Sequence, residues 1–235
     1  YNVDYYLIDG SIYGDLQNPF PKGVETSAKA KKELISATLN DFEEMVKNPS
    51  DKSVYSPKLF NKYFKIYQEH KYPYTLYLTT IERLVVLKEI LKNPRKMIAI
   101  SKSSSNNDIF HSNMPDIAIF DKYTQKEGIS KVIRKKVSKD INTTFPVFDE
   151  FFKDLKFTIF YLRLADYKNV LKVELPYEAS MAEIEEIASK LKKFSTNGYP
   201  YLLKKAHNDV VISDKNIKEL INIAKVREKS GREML

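Results

Sequence analysis

Apolar positions along this chain recur with two spacings, one that suits strands and one that suits helices. Tyr5-Tyr6-Leu7-Ile8 is a short aromatic and aliphatic run that stops at Asp9-Gly10-Ser11, which predicts a buried strand ending in a turn. Residues 17–23 read as a Pro-containing loop. From 24 to 47 the residues Ala28, Leu34, Ile35, Leu39, Phe42 and Met45 recur at helical spacing, and Asn48-Pro49-Ser50 stops that helix. Phe60, Phe64 and Tyr67 predict a short helix, and Leu84, Leu87 and Leu91 predict a firmer one over 81–91 that ends at Asn93-Pro94. Residues 96–101 read as a second buried strand, followed by a polar, mobile loop over 103–108.

Further along, 115–123 reads as a short helix with Asp116 as an N-cap or first-turn acid. Residues 157–164 predict a strand with alternation, and 170–175 its hairpin partner. Ser180 and Glu183 form a capping box in front of a helix to Phe194. Pro200 predicts the start of a helix that carries His207, and 214–226 reads as a last helix. Strands and helices mix along the whole chain and no repeat is present, so the class is α/β or α+β in a single domain over 1–235.

Composition narrows the function. The chain has 235 residues, 43% hydrophobic and 30% charged, in keeping with a globular protein rather than a disordered one. No apolar run approaches the roughly 20 residues of a membrane span. The opening Tyr1-Asn2-Val3-Asp4 has neither Met nor the pattern of a signal peptide, and a segment is expected upstream. There are no cysteines, so any metal must sit on carboxylates, imidazoles or carbonyls, which favours hard divalent ions. With 39 basic against 31 acidic residues the net charge is +8, compatible with a polyanionic partner and equally with a Lys-rich solvated surface.

Few residues can carry chemistry. Asp9 follows an apolar strand directly, so a sheet edge would hold its carboxylate rigidly; Asp-Gly-Ser is also an ordinary turn triplet. Ile98-Ala99-Ile100-Ser101-Lys102 delivers a lysine from a buried strand into a loop, where Lys102 suits a phosphate as a point charge or simply faces water. His207, among only 3 histidines, could bind a divalent ion, move a proton, or be structural. Tyr199 could contact a phosphate or a base, or belong to the core. No phosphate-cradling Gly-rich loop and no Ser-His-Asp order are present.

Taken in order, these blocks resemble the NurA nuclease family: Leu7-Ile8-Asp9-Gly10-Ser11, Ile98-Ala99-Ile100-Ser101-Lys102-Ser103, Met114-Pro115-Asp116-Ile117, Tyr161-Leu162-Arg163, Gly198-Tyr199-Pro200 through Ala206-His207, and the tail Gly231-Arg232-Glu233-Met234-Leu235. The resemblance spans nearly the whole chain. It implies an archaeal enzyme with a ribonuclease-H-like (Piwi-like) core, a mixed sheet and an inserted helical region over about 24–95. It also implies a Mn²⁺- or Mg²⁺-dependent deoxyribonuclease acting on single-stranded DNA and duplex ends. Such an enzyme works as a cytoplasmic homodimer with a HerA-type hexameric ATPase, in end resection for recombinational repair. By the same resemblance Asp9 is a metal ligand, His207 a metal-site or proton-transfer residue, and Tyr199 an active-site neighbour; Lys102 is added on physical grounds. The family site needs a further Asp and a Glu, expected before Tyr1. The competing reading is a catalytically incomplete DNA-binding or adaptor subunit of such a complex.

Overall fold

Residues 156–163 are the longest apolar stretch that is also β-branched and aromatic, and they form the strand around which the sheet is built. The computed structural model describes residues 3–17, 28–47, 61–62, 71–137, 145–210 and 217. Its main sheet has 6 strands in the order β1-β2-β6-β5-β3, with β4 also on β5. The strands are β1 (Tyr6–Asp9), β2 (Met97–Ser101), β3 (Gly128–Ile129), β4 (Ile133–Lys136), β5 (Lys156–Arg163) and β6 (Leu171–Leu175). β1 and β2 are parallel, and all other pairs are antiparallel. A parallel neighbour needs a long crossover, and here the crossover carries α1 (Ile12–Gln17), α2 (Ala28–Lys47) and α3 (Lys71–Ile90). The sheet is therefore mixed and the class α/β, as expected.

Strand register fixes what each face presents. Ile100, Val173 and Phe160 lie side by side on one face, and Ser101, Lys172 and Tyr161 on the other. On the first face Ile98, Ile100, Phe160 and Val173 pack against Ile184, Ile187 and Leu191 of α6 (Met181–Lys193) and Leu203 of α7 (Tyr201–Val210). On the second, Ala99, Phe157 and Ile159 pack against Tyr13 of α1, Phe42 of α2 and Ile81 and Leu84 of α3. The remaining helices are α4 (Asp116–Tyr123) and α5 (Asp149–Asp154), and β7 (Ser195–Thr196) with β8 (Tyr199–Pro200) makes a small separate hairpin.

The structure departs from the sequence expectations at four elements. The first strand is not buried: β1 is an edge strand with Tyr6 49% exposed. The strand expected to alternate, β5, is buried on both sides from Phe157 onward, because helices cover both faces of the sheet. α3 starts ten residues earlier than the leucine pattern suggests; Pro73 falls in its first turn, where a proline is tolerated. Pro200 closes strand β8, and the expected helix carrying His207 opens one residue later, at Tyr201. The expected helices near residues 60–67 and 214–226 lie outside the described residues apart from 61–62 and 217, as does the Gly231–Leu235 tail.

Candidate active site

Asp9 ends β1 opposite Ile100 of β2, so its side chain belongs to the face covered by α6 and α7. The alternation of β2 continues past Ile100 and Ser101, which returns Lys102 to that same face. Gly10 then turns the chain, with φ +128°, a conformation that L side chains rarely adopt. Its N–H donates to the Ile100 carbonyl at 2.9 Å, locking the turn onto β2. Beyond it Ser11 caps α1, its Oγ accepting from the Gly14 N–H at 2.8 Å.

The other side of the site comes from the C-terminal third of the chain. Asn197 and Gly198 both have positive φ, 54° and 74°, as the tight turn of a two-residue hairpin requires. That hairpin sets Tyr199 beside Asp9, with the phenol donating to Oδ1 at 3.5 Å, the outer limit of a hydrogen bond. One and a half turns into α7, His207 brings Nδ1 to 3.9 Å from the other Asp9 oxygen. Lys102 Nζ stands 4.3 Å from the centre of the Tyr199 ring. The four residues singled out in the sequence, Asp9, Lys102, Tyr199 and His207, thus converge although nearly 200 positions separate the first from the last.

The electrostatics follow from this packing. Partial burial pushes the Tyr199 phenol up to about 12, and the negative charge of Asp9 and its hydrogen bond add to the effect. Tyr199 is therefore a neutral donor at any physiological pH. Asp9 and His207 remain open, with side chains 42% and 52% exposed, so a ligand can reach both.

A divalent ion can be tested against these donors. With bonds of about 2.1 Å, two ligands of one ion lie about 3 Å apart at right angles and about 4.2 Å apart when opposed. The 3.9 Å between Asp9 Oδ2 and His207 Nδ1 falls between those limits, and the pair is one hard oxygen and one imidazole. Among the described residues no group of three or more His, Asp and Glu side chains gathers, so this pair supplies part of a coordination sphere.

Behind the sheet lies a polar group that the sequence reading did not single out. Lys172 and Glu174 of β6 are 2% and 0% exposed and form an ion pair at 2.7 Å. Their alternation with Leu171, Val173 and Leu175 reads as a solvent face, which concealed them. Asp116 stands in the first turn of α4, one of its two expected places, with Pro115 at the cap position. It is fully buried and accepts from the N–H groups of Ile109 and Phe110 at 2.9 and 3.1 Å, tying down the loop before α4. The polar loop over 103–108 is cross-linked, with Asn106 Nδ2 donating to Asp108 and Lys135 forming a 2.8 Å bridge to the same carboxylate.

Comparison with known proteins gives the family of the chain. Residues 1–212 match the NurA domain. The probable DNA double-strand break repair nuclease NurA of Methanocaldococcus jannaschii is 30% identical over all of this chain and 62% of its own length. The DNA double-strand break repair nuclease NurA of Sulfurisphaera tokodaii is 31% identical over 95% of this chain and 59% of its own length. The crystal structure of the NurA nuclease from Sulfolobus solfataricus superimposes with a TM-score of 0.65 at 26% identity, over 95% of this chain and 60% of that one. A NurA crystallised with dAMP and manganese shares the fold, with a TM-score of 0.60 at 16% identity. The chain spans about three fifths of the length of these first relatives. Over that span, in sequence and in fold, it belongs to the NurA domain family.

Proposed function

We propose that this chain is the greater part of a divalent-metal-dependent deoxyribonuclease that trims DNA ends in double-strand break repair. The observation that carries the reading is the convergence of Asp9, Tyr199, His207 and Lys102 on one half-open face at the end of β1. Relatives named as break-repair nucleases and a NurA bound to dAMP and manganese support it. In this reading the core is ribonuclease-H-like, and the substrates are single-stranded DNA and duplex ends. The protein acts as a homodimer with a HerA-type hexameric ATPase in the cytoplasm during end resection.

Asp9 and His207 would hold a Mn²⁺ or Mg²⁺ ion, which when bound neutralises phosphate charge and activates water. The chain's own groups do the rest. Tyr199 keeps its proton, and once Asp9 holds the ion the phenol can turn its hydrogen bond from Asp9 to a phosphate oxygen. Lys102, in contact with the Tyr199 ring, adds a positive point charge beside the same phosphate. The wide exposure of Asp9 and His207 suits a site that admits a chain end without reading bases.

The test is degradation of end-labelled single-stranded DNA with Mn²⁺ and with chelator, on wild type and on Asp9→Ala and His207→Ala. Metal-dependent cleavage lost in both variants, with DNA binding kept, is the expected result. Metal-dependent cleavage unchanged in Asp9→Ala would remove that carboxylate from the site. One observation favours the second reading, a DNA-binding or adaptor subunit: only two metal-ligating side chains converge among the described residues. DNA binding without any cleavage by a protein that carries the upstream Asp and Glu would select it.

A further inference from the structure

We propose that the buried Lys172–Glu174 pair is a positioning device that fastens both loops carrying the candidate site, an inference that rests on the nuclease reading above. The pair lies on the opposite face of the sheet from Asp9, as the register of Ser101 with Lys172 and of Asp9 with Ile100 requires. It therefore touches neither the site residues nor any substrate. Its contacts run instead to the two segments that follow Asp9 and Lys102.

Glu174 holds the first segment. One carboxylate oxygen accepts from Ser11 Oγ at 2.5 Å, and the other accepts from the Tyr13 N–H at 2.9 Å. These bonds fix the start of α1 two residues after Asp9, and the Gly10 N–H to Ile100 bond fixes the link between them. Lys172 holds the second segment. Its ammonium pairs with Glu174 at 2.7 Å and donates to Asn106 Oδ1 at 3.4 Å. Asn106 in turn bonds Ser104 and Asp108, so the stretch just after Lys102 is tied to β6. One ion pair thus couples the turn behind Asp9 to the loop behind Lys102.

Stability does not account for such a pair. Two charges removed from water are commonly matched or bettered by apolar residues of similar volume, whereas removing one partner leaves a buried charge unmatched. What the charges supply here is direction. Ionised groups hold hydroxyl and N–H donors at defined angles, and an apolar pair cannot. A site misplaced by about 1 Å loses about 100-fold in rate.

The experiment compares wild type with Glu174→Gln, Ser11→Ala and the double variant Lys172→Met with Glu174→Met, which avoids a lone buried charge. Amide hydrogen exchange over 10–14 and 104–110 and the kcat and KM of Mn²⁺-dependent cleavage of single-stranded DNA are measured on each. The double variant is expected to fold with a modestly lowered Tm, since the buried Tyr13 N–H loses its acceptor, to lose protection in both segments, and to lose about 100-fold in kcat with KM within about twofold. Ser11→Ala should lose protection over 10–14 alone. If the folded double variant keeps wild-type protection in both segments, the pair does not hold the loops. If protection falls while kcat stays, it holds loops whose position is irrelevant to the site. Either result overturns the proposal. Should the whole protein, with its upstream Asp and Glu, not cleave, the nuclease reading fails, while the exchange data still decide whether the pair fastens the loops.

Discussion

Tyr199 shows most directly what a neighbour does to a side chain. Its phenol is raised by burial, and beside the Asp9 carboxylate its ionisation would bring two negative charges together. A raised folded pKa means that the stabilising contribution is complete below the free tyrosine value near 10 and is lost as pH rises toward about 12. The difference in phenolate absorbance between wild type and Tyr199→Phe should therefore show a phenol that titrates near 12. A normal titration would mean that the phenol is neither buried nor beside Asp9. Gly198 gives a second residue-scale prediction. With φ +74° and Lys168 Cβ only 2.5 Å from where its own Cβ would stand, Gly198→Ala should destabilise the protein by about 1–3 kcal/mol and displace Tyr199. Denaturant unfolding together with DNA cleavage checks both parts. Ser101 runs the other way. Its buried hydroxyl has no hydrogen-bond partner among the described residues, so Ser101→Ala should be neutral or slightly stabilising.

The elements differ in how far their own sequences specify them. α6 is fully announced: Ser180 Oγ accepts from the Glu183 N–H, the Glu183 carboxylate accepts from the Ser180 N–H, and four apolar residues line one face. Ser180→Ala should cost about 1 kcal/mol in thermal or denaturant unfolding, while a change below a few tenths would mean that water replaces the cap. The β5–β6 hairpin was legible from its β-branched and aromatic runs, but its burial on both faces was not. Phe160, fully buried between β6 and the helical layer, should cost about 3–5 kcal/mol when truncated to Ala. The hairpin that places Tyr199 carries its own signal in Asn197-Gly198, yet two-residue strands are too short to show alternation. The first half of α3 was missed because Tyr and Thr mask the helical period and Pro73 suggests a break.

For the whole molecule, net charge governs the approach of a polyanion. If the chain binds single-stranded DNA as proposed, its net +8 makes phosphate contacts the dominant part of that binding. If about three phosphates are neutralised, a fourfold rise in salt should weaken binding about 20-fold, read by fluorescence anisotropy on a labelled oligonucleotide. Affinity independent of salt would remove the backbone-tracking reading. No helix among the described residues is long and apolar enough to cross a membrane.

By itself the sequence determined what local periodicity and chemistry can carry. It specified the α/β class, the central hairpin, the capped helix and, through ordered short blocks, the family, and it singled out Asp9, Lys102, Tyr199 and His207 as candidates. The elements follow from neighbours in the chain, where alternation and helical spacing are visible, and the family from the order of the blocks. The tertiary structure alone decided which face of the sheet each side chain reaches. It turned β1 into an exposed edge, closed Asp9 on His207 across the fold, and buried Lys172 and Glu174 where strand alternation promised water. The physical reason is that burial on a strand depends on what later packs over each face. For β6 that cover on the Lys172–Glu174 side begins with Ser11 and Tyr13, more than 160 residues away.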